Sequence, residues 1–226
     1  MSVSLNKFVA ATGICSRREA DRWIEAGRLT INGQIATKGN RVETGDRVAL
    51  DGKLIGAQPD RVYLAFHKPA GITCTTDARD PDNIVDFLNY PDRIFPVGRL
   101  DKASTGLIFL TNDGDVVNEV LRAEHEHEKE YIVTVDRPYD DRFLERMAGG
   151  VPILGTRTNP CQVERLGKRR FRIVLTQGLN RQIRRMCKYL GYRVMTLKRV
   201  RIMDITLGDL PVGAYRELEG FFAGGH

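Results

Sequence analysis

Hydrophobic positions along this chain fall into short runs of strand character, interspersed with stretches of helical spacing. Beyond Val62 the runs Val62 to Phe66, Ile94 to Val97, Leu107 to Thr111, Tyr131 to Val135, Phe171 to Leu175 and Val194 to Leu197 predict strands. Asn83 to Leu88, Asp115 to Arg122, Asp140 to Met147 and Gln182 to Tyr189 predict helices. The two kinds do not follow a regular βαβ rhythm, so the pattern points to an α+β fold with a mixed, largely antiparallel sheet rather than a doubly wound one.

The N-terminal part reads differently. Leu5 to Thr12 predicts a short helix stopped by Gly13, and Ser16 with Glu19 forms a capping box for a second helix ended by Gly27. In that second helix Ala20, Trp23 and Ile24 share a stripe for burial, leaving Arg17, Arg18 and Arg22 on the opposite side. Asn32-Gly33 marks a tight hairpin between Leu29 to Ile31 and Gln34 to Ala36, and Thr44-Gly45-Asp46 with Asp51-Gly52 brackets a strand at Arg47 to Leu50. Gly56 to Asp60 is small, polar and proline-bearing, as linkers are. The expected division is residues 1–56 as a small domain, 57–61 as a linker, 62–221 as a larger domain and 222–226 as a tail.

The length of 226 residues permits a substantial core. No apolar run is long enough to span a membrane and no signal pattern opens the chain, so the expectation is a cytoplasmic protein without membrane association. Four widely spaced cysteines, Cys15, Cys74, Cys161 and Cys187, suggest reduced, packed thiols rather than a zinc site or disulfide framework. The net charge of +6 and a pI near 9.2 favour phosphate-bearing partners. Distribution sharpens this, because Asn180 to Arg201 carries eight basic residues (Arg181, Arg184, Arg185, Lys188, Arg193, Lys198, Arg199, Arg201) and no acidic one. Solvated helix faces usually mix signs, so the stretch is read as a phosphate-binding surface.

Chemistry concentrates in Gly98 to Leu107, where the carboxylate of Asp101 sits beside Arg99 in a loop leading into a buried strand. An aspartate in a loop also serves as a turn or cap residue. Three further stretches share a basic, partly apolar character: Lys68-Pro69-Ala70-Gly71-Ile72, Lys129-Glu130-Tyr131, and Asn180 to Met186. Taken singly, Tyr131 equally fits a core aromatic, Lys68 a solvated turn residue and Arg184 a surface charge. His125 and His127 lie among Glu124, Glu126 and Glu128 in a charged run without convergent partners, so no metal site is expected there. Asn112-Asp113-Gly114-Asp115 lacks the spaced ligands of a calcium loop.

In this order, the stretches resemble two known families. Leu5-Asn6-Lys7, Ser16 to Asp21, Ile31-Asn32-Gly33 and Gly45-Asp46 resemble the S4-type RNA-binding domain, which implies RNA contact by Lys7, Arg17, Arg18 and Arg22. Phe95 to Asp101, Asp82 to Phe87, His127 to Tyr131 and Gly178 to Cys187 resemble pseudouridine synthases. Within them the match is to the branch typified by RsuA, RluB and RluF, and most of all to its large-subunit rRNA synthases. That resemblance implies isomerisation of a uridine in 23S ribosomal RNA without any cofactor. It implies Asp101 as the catalytic carboxylate, with Arg184 or its neighbour Arg185 as the paired cation. It further implies Tyr131 as the aromatic stacked on uracil and Arg99 as the side chain that fills the vacated stack. Lys68, Lys129 and Arg181 are expected as supporting or phosphate contacts, and the protein as a monomer with ribosomal RNA as partner and tyrosine tRNA as a second substrate. Two other readings stand beside this one: a non-catalytic RNA-binding or ribosome-assembly protein, and a hydrolytic nucleosidase.

Overall fold

Short polar turns cut the first sixty residues into elements too brief to stand alone, and they cohere by packing on one another. In the computed structural model, which describes residues 2–116 and 127–219, two compact units emerge. One comprises Met1–Val62 with Tyr90–Ile94 and Asn112–Gly114, the other Tyr63–Asn89, Phe95–Thr111 and Asp115–His226.

The first unit runs β1 (Val3–Ser4), α1 (Leu5–Ala11), α2 (Arg17–Glu25), β2 (Leu29–Ile31), β3 (Gln34–Ile35), β4 (Arg41–Val42), β5 (Val48–Leu50) and β6 (Lys53–Ile55). Ser16 caps α2 by accepting from the backbone N–H of Glu19, as the sequence pattern requires. Asn6 reaches across to the Asp21 carboxylate at 3.0 Å and ties the two helices together. Leu5, Val9, Ala20 and Ile24 are buried with Leu29 and Val48 of the sheet order β3-β2-β5-β6. At the hairpin tip Asn32 and Gly33 both take positive φ, 52° and 82°, the left-handed pair of a primed turn. Asn32 then bonds Asp46 and the Arg47 N–H, locking the two turns to each other.

The second unit is built on β7 (Tyr63–Lys68), α3 (Ile84–Leu88), β8 (Phe95–Val97), β9 (Thr105–Thr111), β10 (Lys129–Val135), α4 (Asp141–Ala148), β11 (Pro152–Ile153), β12 (Thr156–Arg157), β13 (Gln162–Arg165), β14 (Arg170–Leu175), α5 (Gln182–Tyr189), β15 (Val194–Ile202), β16 (Ile205–Thr206) and β17 (Tyr215–Glu217). The main sheet has the order β13-β14-β10-β15-β9-β7-β17, with β8 on β9 and β16 on β15. Among the described residues only β9 and β15 pair in parallel, so the sheet is mixed and mostly antiparallel as expected. The helix expected at Asp115 to Arg122 lies outside the described residues beyond Val116, as do His125 and the tail 222–226.

Two features position the site. Gly106 takes φ 114°, and a Cβ there would lie 2.2 Å from the Arg199 carbonyl oxygen, so only glycine lets β9 and β15 meet. β10 and β15 lose register between Glu130 and Tyr131, which oppose Arg201 and Arg199 respectively and leave Val200 as the extra residue of a bulge. In an unbroken strand Arg199 and Arg201 would share a face. The bulge sends them to opposite sides.

α4 and α5 pack over one half of the sheet, where Phe143, Met147, Ile183, Met186 and Cys187 meet Val133, Phe171 and Leu197. Among the described residues no helix is long and apolar enough to cross a membrane.

Candidate active site

A cleft of about 870 Å³ opens in the second unit, lined by the loop after β8, by β10, by the segment before α5 and by its first turn. Asp101 stands on its wall, with its side chain 36% exposed. The chain around it is tied down on both sides. Leu100 donates its N–H to Cys74 Sγ and accepts from that thiol, while the Lys102 carbonyl accepts from the Gly71 N–H at 2.7 Å. The Ser104 N–H closes a turn onto the Asp101 carbonyl.

Arg184 reaches Asp101 from the first turn of α5, Nε to Oδ2 at 3.5 Å, with only 14% of its side chain exposed. Its Nη2 donates to Ser104 Oγ at 2.9 Å and to the Ala103 carbonyl at 3.3 Å. The guanidinium is therefore oriented by the loop that carries its partner carboxylate, and Nε itself has no hydrogen bond. Arg185 turns away, its Nε and Nη2 on the carbonyl and side-chain oxygen of Asn180. Arg184 is the cation beside Asp101.

Tyr131 lines the cleft from β10, with Lys129 two residues before it on the same face and Arg99 and Arg181 exposed at the margin. Arg181 adopts the left-handed conformation at φ 50° to start α5, so the helix begins with a bend that turns the preceding segment into the cleft wall. Gln182 supports that wall by accepting from the Leu179 N–H.

Lys68 lies elsewhere than a phosphate contact requires. It is fully buried, and its ammonium donates to the carbonyls of Pro69, Ile72 and Lys102 at 2.8, 2.7 and 3.4 Å. Of the two roles expected of it, the supporting one fits this position. Burial pushes its pKa down to about 8, a shift that the neighbouring Cys74 and Asp101 oppose. Lys129 is buried as well. The Cys74 thiol is pushed above its usual range by burial.

The reading of Asn180 to Arg201 as one phosphate-binding surface needs correction. Arg199 is 4% exposed and donates from Nε to the Leu107 carbonyl at 2.7 Å, placing a guanidinium in the cleft floor beside Tyr131. Arg201, on the other face, bonds Glu128 and Glu130, and Arg172 adds a second pair to Glu130. The Arg172 contact, aided by Arg201, holds the Glu130 carboxyl below its usual range. Arg181, Arg185, Lys188 and Arg193 are the members left exposed. The sequence signal missed is the bulge, which no period-two pattern carries.

In the first unit Arg17, Arg18 and Arg22 are exposed on α2 as its stripe predicts, with Arg22 paired to Glu19 at 2.8 Å, and Lys7 is half-buried on α1. Among the described residues no group of His, Cys, Asp and Glu could hold a metal ion.

One carboxylate, oriented by a guanidinium and faced by a tyrosine in a cation-rimmed cleft, suits attack on, or charge stabilisation at, a sugar carbon of a polyanion. The family model for RNA pseudouridylate synthase matches residues 62–189, and that for the S4 domain matches residues 3–48. The chain is 54% identical over 219 residues to the dual-specificity RNA pseudouridine synthase RluF of Escherichia coli (strain K12), which covers 96% of this chain and 76% of that one. It is 32% identical over 223 residues to the ribosomal large subunit pseudouridine synthase B of Bacillus subtilis (strain 168), covering 95% and 91%. A crystal structure of a pseudouridylate synthase matches with TM-score 0.67 at 30% identity, over 96% of each chain.

Proposed function

This chain belongs to the RNA pseudouridylate synthase family, and from that premise we propose that Asp101 is the carboxylate that acts on C1′ of the target uridine. The isomerisation breaks the bond from C1′ to N1 of uracil and forms one from C1′ to C5. The proton that leaves C5 is balanced by one gained at N1, so nothing else enters or departs. Asp101 either attacks C1′ or stabilises its positive charge and takes a proton from the sugar. Arg184 holds the carboxylate aimed at the ribose, its guanidinium fixed in turn by Ser104 and the Ala103 carbonyl. Tyr131 stacks on the uracil, and its hydroxyl helps move the C5 proton. Arg99, exposed at the rim, fills the space left by the flipped nucleotide, whose extrusion costs a few kcal/mol.

The RNA acted on is large-subunit ribosomal RNA, with tyrosine tRNA as a second substrate. The name of the relative from Bacillus subtilis favours the ribosomal substrate, and the dual specificity in the name of the one from Escherichia coli favours there being a second RNA substrate. The residue 3–48 domain contributes RNA binding through Arg17, Arg18 and Arg22, and the protein works as a monomer in the cytoplasm.

The observation that carries the assignment is the Asp101–Arg184 contact in the same cleft as Tyr131. The test is Asp101→Asn, assayed by tritium release from RNA labelled at C5 of uridine. Release falls to background while RNA affinity is retained. Turnover comparable with the unsubstituted protein overturns the role of Asp101. Mapping pseudouridines in rRNA and tRNA from cells with and without the gene identifies the substrates.

A further inference from the structure

A second groove, of about 350 Å³, lies at the far end of α5 from the cleft. Its walls are Glu145 and Arg146 of α4, Gly149 to Pro152, Arg157 of β12, and Tyr189 and Leu190 at the end of α5. Tyr189 is 54% exposed. A tyrosine ring left open to solvent beside two guanidiniums is the combination that binds single-stranded nucleic acid, since the ring stacks on a base and the cations take its phosphates.

The side of α5 turned to solvent joins this groove to the cleft. Ile183, Met186 and Cys187 are buried in the core, whereas Arg181, Arg185 and Lys188, spaced at i, i+4 and i+7, are exposed. Arg181 lines the cleft and Tyr189 the groove, and eight residues of helical rise separate them by about 12 Å, a span of roughly two nucleotides. α5 itself contributes no carboxylate to the track, since the sequence from Asn180 to Arg201 holds none, and among the groove's lining residues Glu145 is the single acid against Arg146 and Arg157. Gly150 fixes the groove's shape: it takes φ 89°, and a Cβ there would meet the Thr158 carbonyl at 2.4 Å.

We infer that the groove at Tyr189, Arg146 and Arg157 is a second RNA subsite, which holds a base and phosphates of the strand whose uridine occupies the cleft, with Arg185 and Lys188 guiding the intervening backbone. The occupant is single-stranded RNA, chosen by charge complementarity and by the exposed ring. The inference rests on the cleft being the uridine site, so its test must read binding separately from turnover.

The protein is titrated with fluorescein-labelled oligouridylates of about 2 and about 16 nucleotides, the shorter unable to reach from the cleft into the groove and the longer able to fill both. Tyr189→Ala weakens binding of the longer probe about tenfold, from the loss of one stacked base, and leaves that of the shorter one unchanged. Arg146→Ala with Arg157→Ala lowers the salt slope for the longer probe by about 0.7 for each phosphate no longer neutralised. All three side chains are exposed, so the variants fold. Tyr189→Phe retains the stacking and restores the affinity. Equal affinity and equal salt slope of the variants and the unsubstituted protein for the longer probe overturn the subsite. If instead the unsubstituted protein releases no tritium from labelled rRNA while the variants still bind the longer probe more weakly, the reading of the cleft fails and the groove stands.

Discussion

The cations in and beneath the cleft floor and those on the outward faces of α2 and α5 are written with the same residue types and do opposite work. Arg184, Arg199 and Lys68 are held by Asp101, the Leu107 carbonyl and three loop carbonyls, and their charge fixes the protein's own geometry. Arg17, Arg18, Arg181, Arg185 and Lys188 are exposed, and their charge is available to a polyanion. A buried cation satisfies acceptors that would otherwise be stranded, whereas an exposed one acts at range and is screened by salt. The density of positive charge along a chain says nothing about which of these a residue does.

Substitutions can break that contrast, and the largest effect is expected at Arg184. Arg184→Ala lowers single-turnover tritium release about 10²–10³-fold, the usual cost of removing a preorganised electrostatic contact from a reacting group. A rate within a few fold of the unsubstituted protein would place Arg184 with the outer cations. Next comes Arg199→Met, which strands the Leu107 carbonyl and costs about 1–3 kcal/mol of stability, measured by urea unfolding. A change below that range would mean that the strand junction does not depend on the guanidinium.

Lys68 sharpens the contrast through pH. Its folded pKa of about 8 lies below the ordinary 10.5, so between those values the unfolded chain binds a proton that the folded one does not. Stability referred to this group then rises with pH across that window. Comparison with Lys68→Met by denaturant unfolding at pH 8 and at pH 10.5 reveals the rise as a growing advantage of the unsubstituted protein. A difference that stays flat or shrinks contradicts the burial-driven shift.

The smallest structural effect belongs to the outer set. Arg17→Ala with Arg22→Ala moves stability by no more than about 0.5 kcal/mol. The same pair lowers the slope of log affinity for RNA against log salt by about 0.7 for each phosphate that α2 ceases to neutralise. An unchanged slope removes α2 from the RNA-binding surface.

How much of this was readable in advance follows from the same contrast. The central strands were legible because short apolar runs have few alternatives, and the caps at Ser16, Asn83 and Asp140 mark helix starts in one residue each. The edge strands β13, β16 and β17 were not, being short and largely polar, with Gln-Val-Glu-Arg and Tyr-Arg-Glu giving no buried face to read. Asp101, Tyr131 and Arg184, far apart in the chain, line one cleft, with Arg184 beside Asp101. Whether Arg184 or Arg185 meets Asp101 was undecidable from adjacent identical residues, since it depends on the helix phase set by Arg181 in its left-handed conformation. Arg199 was hidden by the bulge at Val200, and Lys68 by the rule that a lysine ending a strand points to water.

The two anchors flanking Asp101, Cys74 on Leu100 and the Gly71 amide on Lys102, leave the carboxylate only its own two torsions with which, in the role proposed for it, to find an incoming ribose. Such a residue cannot retreat to make room. An added methylene, as in Asp101→Glu, has to be absorbed entirely by the substrate side of the cleft, so the length of this one side chain sets how deep a nucleotide must be drawn in before its sugar comes within reach.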